Sequence, residues 1–212
     1  MKDKKEALKH CLKYSIIGGV RLNYTYEATQ KVISNNIPGS IVECGLWKGG
    51  SVMAAMCAMN NIEKYRNIIG YDTFEGMVGA NEKDIDINGS SGVSRSTQRG
   101  WMAVDIDTVW DNLRTIDFDY DNIKLIKGDV METFKDYVPE NIALLRLDTD
   151  FYTSTLHELK TLYPLLSGGG ILIVDDYGWW EGSAMAVHEY FGHDLQMHKI
   201  DGSGIWIEKG NE

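Results

Sequence analysis

No stretch of the chain is long and apolar enough to span a bilayer. The lysine-rich start from Met1 to Lys9 also lacks the apolar core and small-residue cleavage site of a secretory leader. Together these absences lead to the expectation of a cytoplasmic protein with no membrane partner. Cysteine is scarce: Cys11, Cys44 and Cys57 form an odd, unpatterned set, which reads as three reduced thiols rather than a disulfide frame or a zinc site. Positive charge is short as well. A net charge of -10 argues against a nucleic-acid backbone as the main partner. None of the five histidines has metal-pair spacing, and His188 falls on the flank of an expected helix, which leaves little basis for a catalytic histidine.

What is present suits one domain with a full core: 212 residues, 43% of them hydrophobic. The stretch from Ala143 to Asp176 carries the most information. Leu144 to Leu147 and Ile171 to Val174 are short, unbroken apolar runs of the kind found in strands buried on both faces. Between them the spacing predicts a helix, with Thr155 and Glu158 at capping-box distance, apolar residues Leu156, Leu159, Leu162, Tyr163 and Leu166, and Gly168-Gly169-Gly170 as its stop. A strand, a helix and a strand make a right-handed βαβ unit, so both strands end on one edge, where open α/β sheets bind ligands. Asp148, Asp175 and Asp176 stand at those ends.

Upstream, Lys4 to Tyr14 and Thr25 to Asn35 read as helices separated by Gly18-Gly19, with Tyr24 and Tyr26 near the break. They form either a helical extension packed on the domain (residues 1–37) or a lid that touches ligand. After the Pro38-Gly39 turn, Ser40 to Cys44 reads as a strand, Gly45 to Gly50 as a glycine-rich turn, and Ser51 to Met59 as a buried helix start. Such a turn lets backbone N–H groups approach a ligand at the positive end of a helix, or serves only as a tight turn. Its E-x-G-x-x-x-G-G-S spacing matches neither the dinucleotide motif nor a phosphate loop. That leaves a nucleoside cofactor bearing an amino acid, with Glu43 placed to pair with an ammonium group. The strand Asn67 to Tyr71 ends at Asp72, where a carboxylate can accept ribose hydroxyls.

Gly76 to Arg99 is polar and without periodicity, either a lid-like insertion (about 77–101) whose Arg95, Arg99 and Trp101 reach an acceptor, or a solvated loop. Val104 to Leu113 reads as a helix. The strand Ile123 to Lys127 ends at Gly128-Asp129, where a side chain or the Val130 backbone can meet an adenine. Past the paired aspartates, Trp179 and Trp180 either stack on an acceptor ring or cap the core. A helix from Ser183 to Phe191 and a hairpin, His198 to Asp201 with Ile205 to Glu208, complete about seven strands.

Taken together, IPGSIVECGLWKGGS, YDTFEG, LRLDTDFYTST, LYPLLSGGG and ILIVDDYG, spread over residues 37 to 207, resemble the macrocin O-methyltransferase family of S-adenosylmethionine-dependent sugar O-methyltransferases. The resemblance implies an α/β, Rossmann-like class I methyltransferase fold in residues 38–212, with a seven-stranded, mostly parallel sheet and helices on both faces. It also implies a homodimer and a divalent cation, usually Mg²⁺. Residue by residue, it assigns Glu43, Gly45, Gly49 and Ser51 to the methionine part of S-adenosylmethionine and Asp72 to its ribose. Gly128 and Asp129 fall near the adenine, although Asp129 departs from the aromatic residue of some members. Asp148, Asp175 and Asp176 match the metal carboxylates, with Asp148 also lining the donor site and acting as general base.

These residue types suit the chemistry. A sugar hydroxyl is a poor nucleophile at neutral pH, and a cation on oxygen ligands lowers its pKa while an aspartate collects the proton. The expected acceptor is a small hydroxylated molecule, a sugar or glycoside. A catechol or other phenolic diol suits the same site. A non-catalytic cofactor-binding subunit would keep the fold without turnover, and a nicotinamide oxidoreductase is disfavoured by the glycine spacing.

Overall fold

In the computed structural model, which describes residues 3–98 and 100–210, the apolar runs of the sequence become strands of one mixed sheet. Asp3 caps α1 (Lys4–Cys11), and a 3-10 turn over Leu12–Tyr14 leads to α2 (Gly19–Ser34). Next come β1 (Ser40–Cys44), α3 (Gly50–Ile62), β2 (Ile68–Asp72), α4 (Gly92–Ser96), α5 (Ile106–Leu113) and β3 (Ile123–Lys127). The chain continues through α6 (Val130–Thr133), β4 (Ile142–Leu147), α7 (Tyr152–Leu162), β5 (Leu166–Val174) and α8 (Glu181–Phe191). It closes with the hairpin β6 (His198–Lys199) and β7 (Ile205–Glu208).

The seven strands lie in the order β3-β2-β1-β4-β5-β7-β6. The first five are parallel, and β7 and β6 add antiparallel. Successive strand residues point to opposite faces, so Ile41 and Leu144 join the core under α1, α2, α3 and α5. Val42 and Leu145 join a second core under α7 and α8. This is the α/β, Rossmann-like class I methyltransferase fold, with an N-terminal helical extension packed on one face. The chain order reverses between β1 and β4, and the ligand crevice of such sheets opens at the C-terminal strand ends there. No helix among the described residues is long and apolar enough to cross a membrane. All three cysteines are free and buried.

Several local expectations are corrected. α7 starts at Tyr152, three residues before Thr155, so Thr155 and Glu158 are buried inside the helix instead of capping it. Gly168 to Gly170 do not stop that helix. A 3-10 turn over Tyr163–Leu165, with Pro164 in its first turn, ends it, and the glycines sit inside β5 where the pairing with β4 shifts register. α2 begins directly at Gly19, which puts Tyr24 and Tyr26 within the helix. The segment from Gly76 onward is not a loose loop: Ile85 bridges to Ser91 and Asp86 to Trp180, and α4 forms within it. Arg99 lies outside the described residues.

Candidate active site

Four strand ends converge because the sheet ladder runs on into the loops. Gly45 N–H donates to the Tyr71 carbonyl, Gly128 N–H to Asp72, Asp148 N–H to Cys44, and Asp175 N–H to Leu147, all at 2.8–2.9 Å. Gly45 (φ +81°) has no room for a side chain, since a Cβ would run into the Asp148 carbonyl. This close approach sets the glycine turn directly against the acidic end of β4. Beside it opens a cavity of about 490 Å³, lined by Gly45, Ser51, Asp72, Gly128, Asp129, Asp148, Asp175 and Asp176 among others.

On the β2 side, Asp72 organises the turn. Its Oδ2 accepts the N–H groups of Leu46 (2.7 Å) and Trp47 (3.1 Å), and its Oδ1 accepts that of Phe74 (2.7 Å). Trp47 (φ +47°) and Phe74 (φ +53°) are left-handed non-glycine residues, so these bonds hold strained backbone in place. Asp129 caps α6 through Met131 N–H at 2.9 Å and still lines the cavity.

Two residues expected at the cofactor are absent from the cavity lining. Glu43 is 4% exposed and lies behind the turn, where it accepts from the Ser51 hydroxyl and from Arg146 Nη1 at 2.6 Å. With a guanidinium as its partner, it is not placed to pair with an ammonium group in the cavity. Gly49 (φ +87°) packs toward Leu113 and Val109.

At the other end of the cavity, ligand oxygens of Asp148, Asp150 and Asp176 lie within 4.8 Å of one another. Asp175, expected in this set, turns away: Arg146 Nη2 binds one carboxylate oxygen and Arg21 Nη1 the other. Asp150 was not singled out from the sequence, although it stands two residues from Asp148. It sits at φ +66°, and the buried Trp180 donates its indole N–H to it at 3.0 Å. Trp180 is thus core and support, and with Trp179 it also forms part of the cavity wall.

The electrostatics follow from crowding. Burial, then the Asp148 charge, pushes the Asp150 carboxyl up to about 7. Asp148 is raised well above the usual range by burial, against the pull of Arg146, and Asp176 by burial and its neighbours Asp150 and Asp175. Asp176 Oδ2 is buried without a hydrogen-bond partner. Like charges this close, with an orphaned oxygen among them, fit a divalent cation on hard oxygen ligands.

The N-terminal segment packs on the domain and also borders the cavity, so it combines the two readings that the sequence left open. Tyr14, Ser15, Ile16, Ile17 and Arg21 line the cavity. Arg21 Nε also reaches Asp201 at 3.0 Å, joining α2 to the final hairpin. From the insertion, Met77, Val78, Arg95 and Trp101 line the cavity, and Arg95 is held by the buried Asp86. His188 bonds the Tyr177 hydroxyl at 2.7 Å and is not part of the cavity lining. Arg146 and Arg21 went unnoticed in the sequence. A charged residue inside the buried run of β4 was the available signal for the first, and nothing local marks the second.

The family profile of Macrocin-O-methyltransferase (TylF) matches residues 4–209. The chain is 30% identical over 199 residues to the 8-demethyl-8-(2,3-dimethoxy-alpha-L-rhamnosyl)-tetracenomycin-C 4'-O-methyltransferase of Streptomyces olivaceus, covering 91% of this chain and 74% of that protein. It is also 30% identical over 208 residues to the demethyldecarbamoylnovobiocin O-methyltransferase of Streptomyces niveus, covering 92% and 76%. Among solved structures, the O-methyltransferase NovP superposes with a TM-score of 0.83 at 29% identity, covering 93% of this chain and 83% of that one. The profile spans nearly the whole chain and meets a fold whose glycine turn adjoins an acidic cluster: the chain belongs to the macrocin O-methyltransferase family and is an S-adenosylmethionine-dependent O-methyltransferase.

Proposed function

We propose that the enzyme methylates a hydroxyl of a sugar, free or carried by a glycosylated natural product, with a divalent cation, Mg²⁺ by preference, at the acidic end of the cavity. The observation that carries this reading is the cluster of Asp148, Asp150 and Asp176 beside the glycine turn. The named acceptor of the Streptomyces olivaceus relative is a rhamnosyl compound, which supports a sugar here. The MycE methyltransferase has been solved in complex with Mg and S-adenosylhomocysteine, a precedent for the ion on this fold.

In this reading Gly45 and Ser51 border the methionine part of the donor, Asp72 its ribose, and Gly128 with Asp129 its adenine. When bound, the donor supplies an electrophilic methyl group and the cation supplies Lewis acidity. The protein's own groups do the rest. Asp148 and Asp176 would hold the ion, with Asp150 as the third carboxylate within reach, while both oxygens of Asp175 are engaged by Arg146 and Arg21. Asp148 takes the acceptor proton on the oxygen that Arg146 does not hold. A second assignment is favoured by the Trp180 bond. Asp150, held by the indole and lining the cavity, can receive the proton instead. Trp101, Trp179 and Met77 close over the acceptor from the insertion and the β5–α8 loop, excluding water.

The exposed apolar residues Leu12 (42%), Ile16 (64%) and Val20 (57%) support a homodimer. We place the enzyme in the cytoplasm.

The test combines binding with turnover. S-adenosylhomocysteine at about one hundred times its Kd adds roughly 2.7 kcal/mol of stability, which raises Tm by roughly 5–10 °C in a domain of this size. Excess EDTA abolishes methyl transfer to a panel of glycosides and catechols, and added Mg²⁺ restores it. Turnover that survives EDTA removes the ion from the mechanism. Preferred methylation of catechols in the same panel would move the acceptor to phenolic diols.

A further inference from the structure

One buried cation connects the two halves of the site. Arg146 is 2% exposed next to the C-terminal end of β4, directly across from Glu43 of β1 in the sheet register. Its Nη1 donates to Glu43 Oε1 at 2.6 Å and to Asp148 Oδ2 at 2.7 Å, while its Nη2 donates to Asp175. Glu43 in turn accepts from the hydroxyl of Ser51, in the first turn of α3. A single planar fork therefore spans the glycine turn on one side and the acidic cluster on the other. Burial works against the charge on Arg146, but Asp148, Asp175 and Glu43 outweigh it and keep the guanidinium above its ordinary range.

Stability alone does not account for this arrangement. Buried ion pairs are often replaced by apolar groups without loss of stability, because the cost of desolvating the charges cancels much of their attraction. Geometry offers the better reason. A carboxylate at a strand end can rotate about its side-chain bonds, and a bond to one oxygen leaves the other with a defined direction. Asp148 has that bond, and its carboxylate also supplies an oxygen to the cluster with Asp150 and Asp176.

We propose that Arg146 is a positioning residue for methyl transfer: it orients the Asp148 carboxylate toward the ion and keys that orientation, through Glu43 and Ser51, to the turn that borders the donor. The inference rests on the donor and ion sites proposed above. Groups that orient ligands from behind typically change metal affinity or activity by about 10–100-fold when removed.

The test is a charge-balanced pair, Arg146→Met with Glu43→Gln, alongside Arg146→Lys. The pair removes one positive and one negative charge, so the net charge near the ion is unchanged and Mn²⁺ affinity reads orientation. Mn²⁺ binding is followed by electron paramagnetic resonance, S-adenosylhomocysteine binding by calorimetry, and folding by thermal melts. The expected result is a folded double variant whose Kd for Mn²⁺ is raised roughly tenfold or more, with weaker S-adenosylhomocysteine binding. Arg146→Lys, which keeps the charge but not the fork, should fall between the double variant and wild type. A folded double variant that binds Mn²⁺ within about twofold of wild type overturns the proposal, and so does failure of both variants to fold, which would make Arg146 purely structural. A wild-type protein without a saturable Mn²⁺ site would instead remove the ion reading beneath it.

Discussion

Glu158 shows what one buried group does to the molecule. It is fully buried on α7 and meets the Thr149 hydroxyl at 3.1 Å, and burial pushes its carboxyl up to about 8. In the unfolded chain it titrates at the ordinary glutamate value, so between the two values folding requires a proton that the unfolded state has lost. The stability of the neutral form is therefore complete below about pH 4.5 and declines until the pH passes about 8. Glu158→Gln keeps the shape and removes the titration. We expect the variant to gain on wild type as pH rises, by on the order of a few kcal/mol at pH 9, in urea unfolding curves measured from pH 5 to 9. Curves that stay parallel across that range would contradict this account.

At the scale of elements, the insertion behaves as part of the wall because two buried aspartates tie it down. Asp84 accepts the Tyr152 N–H at the start of α7 (2.7 Å), and Asp86 accepts Asn88 N–H (2.9 Å) and Ser90 N–H (2.8 Å) while holding Arg95. Arg95 is thereby presented to the cavity beside Trp101. Asp86→Ala should leave the sheet intact and loosen this one segment. Amide exchange across residues 85–95 is expected to speed up by about tenfold or more, and KM for the acceptor to rise more than the affinity for S-adenosylhomocysteine falls. Unchanged exchange would mean that the insertion is held by something else. The same aspartates explain why the segment read as a loose loop: its order comes from side chain to backbone bonds, which leave no apolar period to read.

For the whole molecule, the N-terminal helices matter most. They bury Leu22, Tyr26 and Val32 against α3 and bring Ile16, Ile17 and Arg21 to the cavity mouth. The exposed residues Leu12, Ile16 and Val20 are where we propose that a second copy docks. Sedimentation equilibrium should give twice the mass of one chain, and Ile16→Asp with Val20→Asp should shift it to monomer without unfolding. A monomeric wild-type protein at tens of micromolar would rule out the dimer.

β1 and β3 begin and end at the residues the sequence suggests, and so does the placement of Asp72, Asp129, Asp148 and Asp176 at strand ends. Short, uninterrupted apolar runs specify buried parallel strands locally, and the topology then sends all their ends to one edge. By itself, then, the sequence determined the fold, the family and the edge that carries the chemistry. Only the tertiary structure decided which carboxylates face one another. Arg146 meets Glu43 through sheet pairing across 103 positions, and Arg21 reaches Asp175 from a helix 154 positions away. Those contacts keep Glu43 out of the cavity lining, engage both oxygens of Asp175 although it still borders the cavity, and leave Asp150 in the cluster. Such pairings depend on distances that no local pattern encodes, because ion pairs form between whichever charged groups the packed elements bring together.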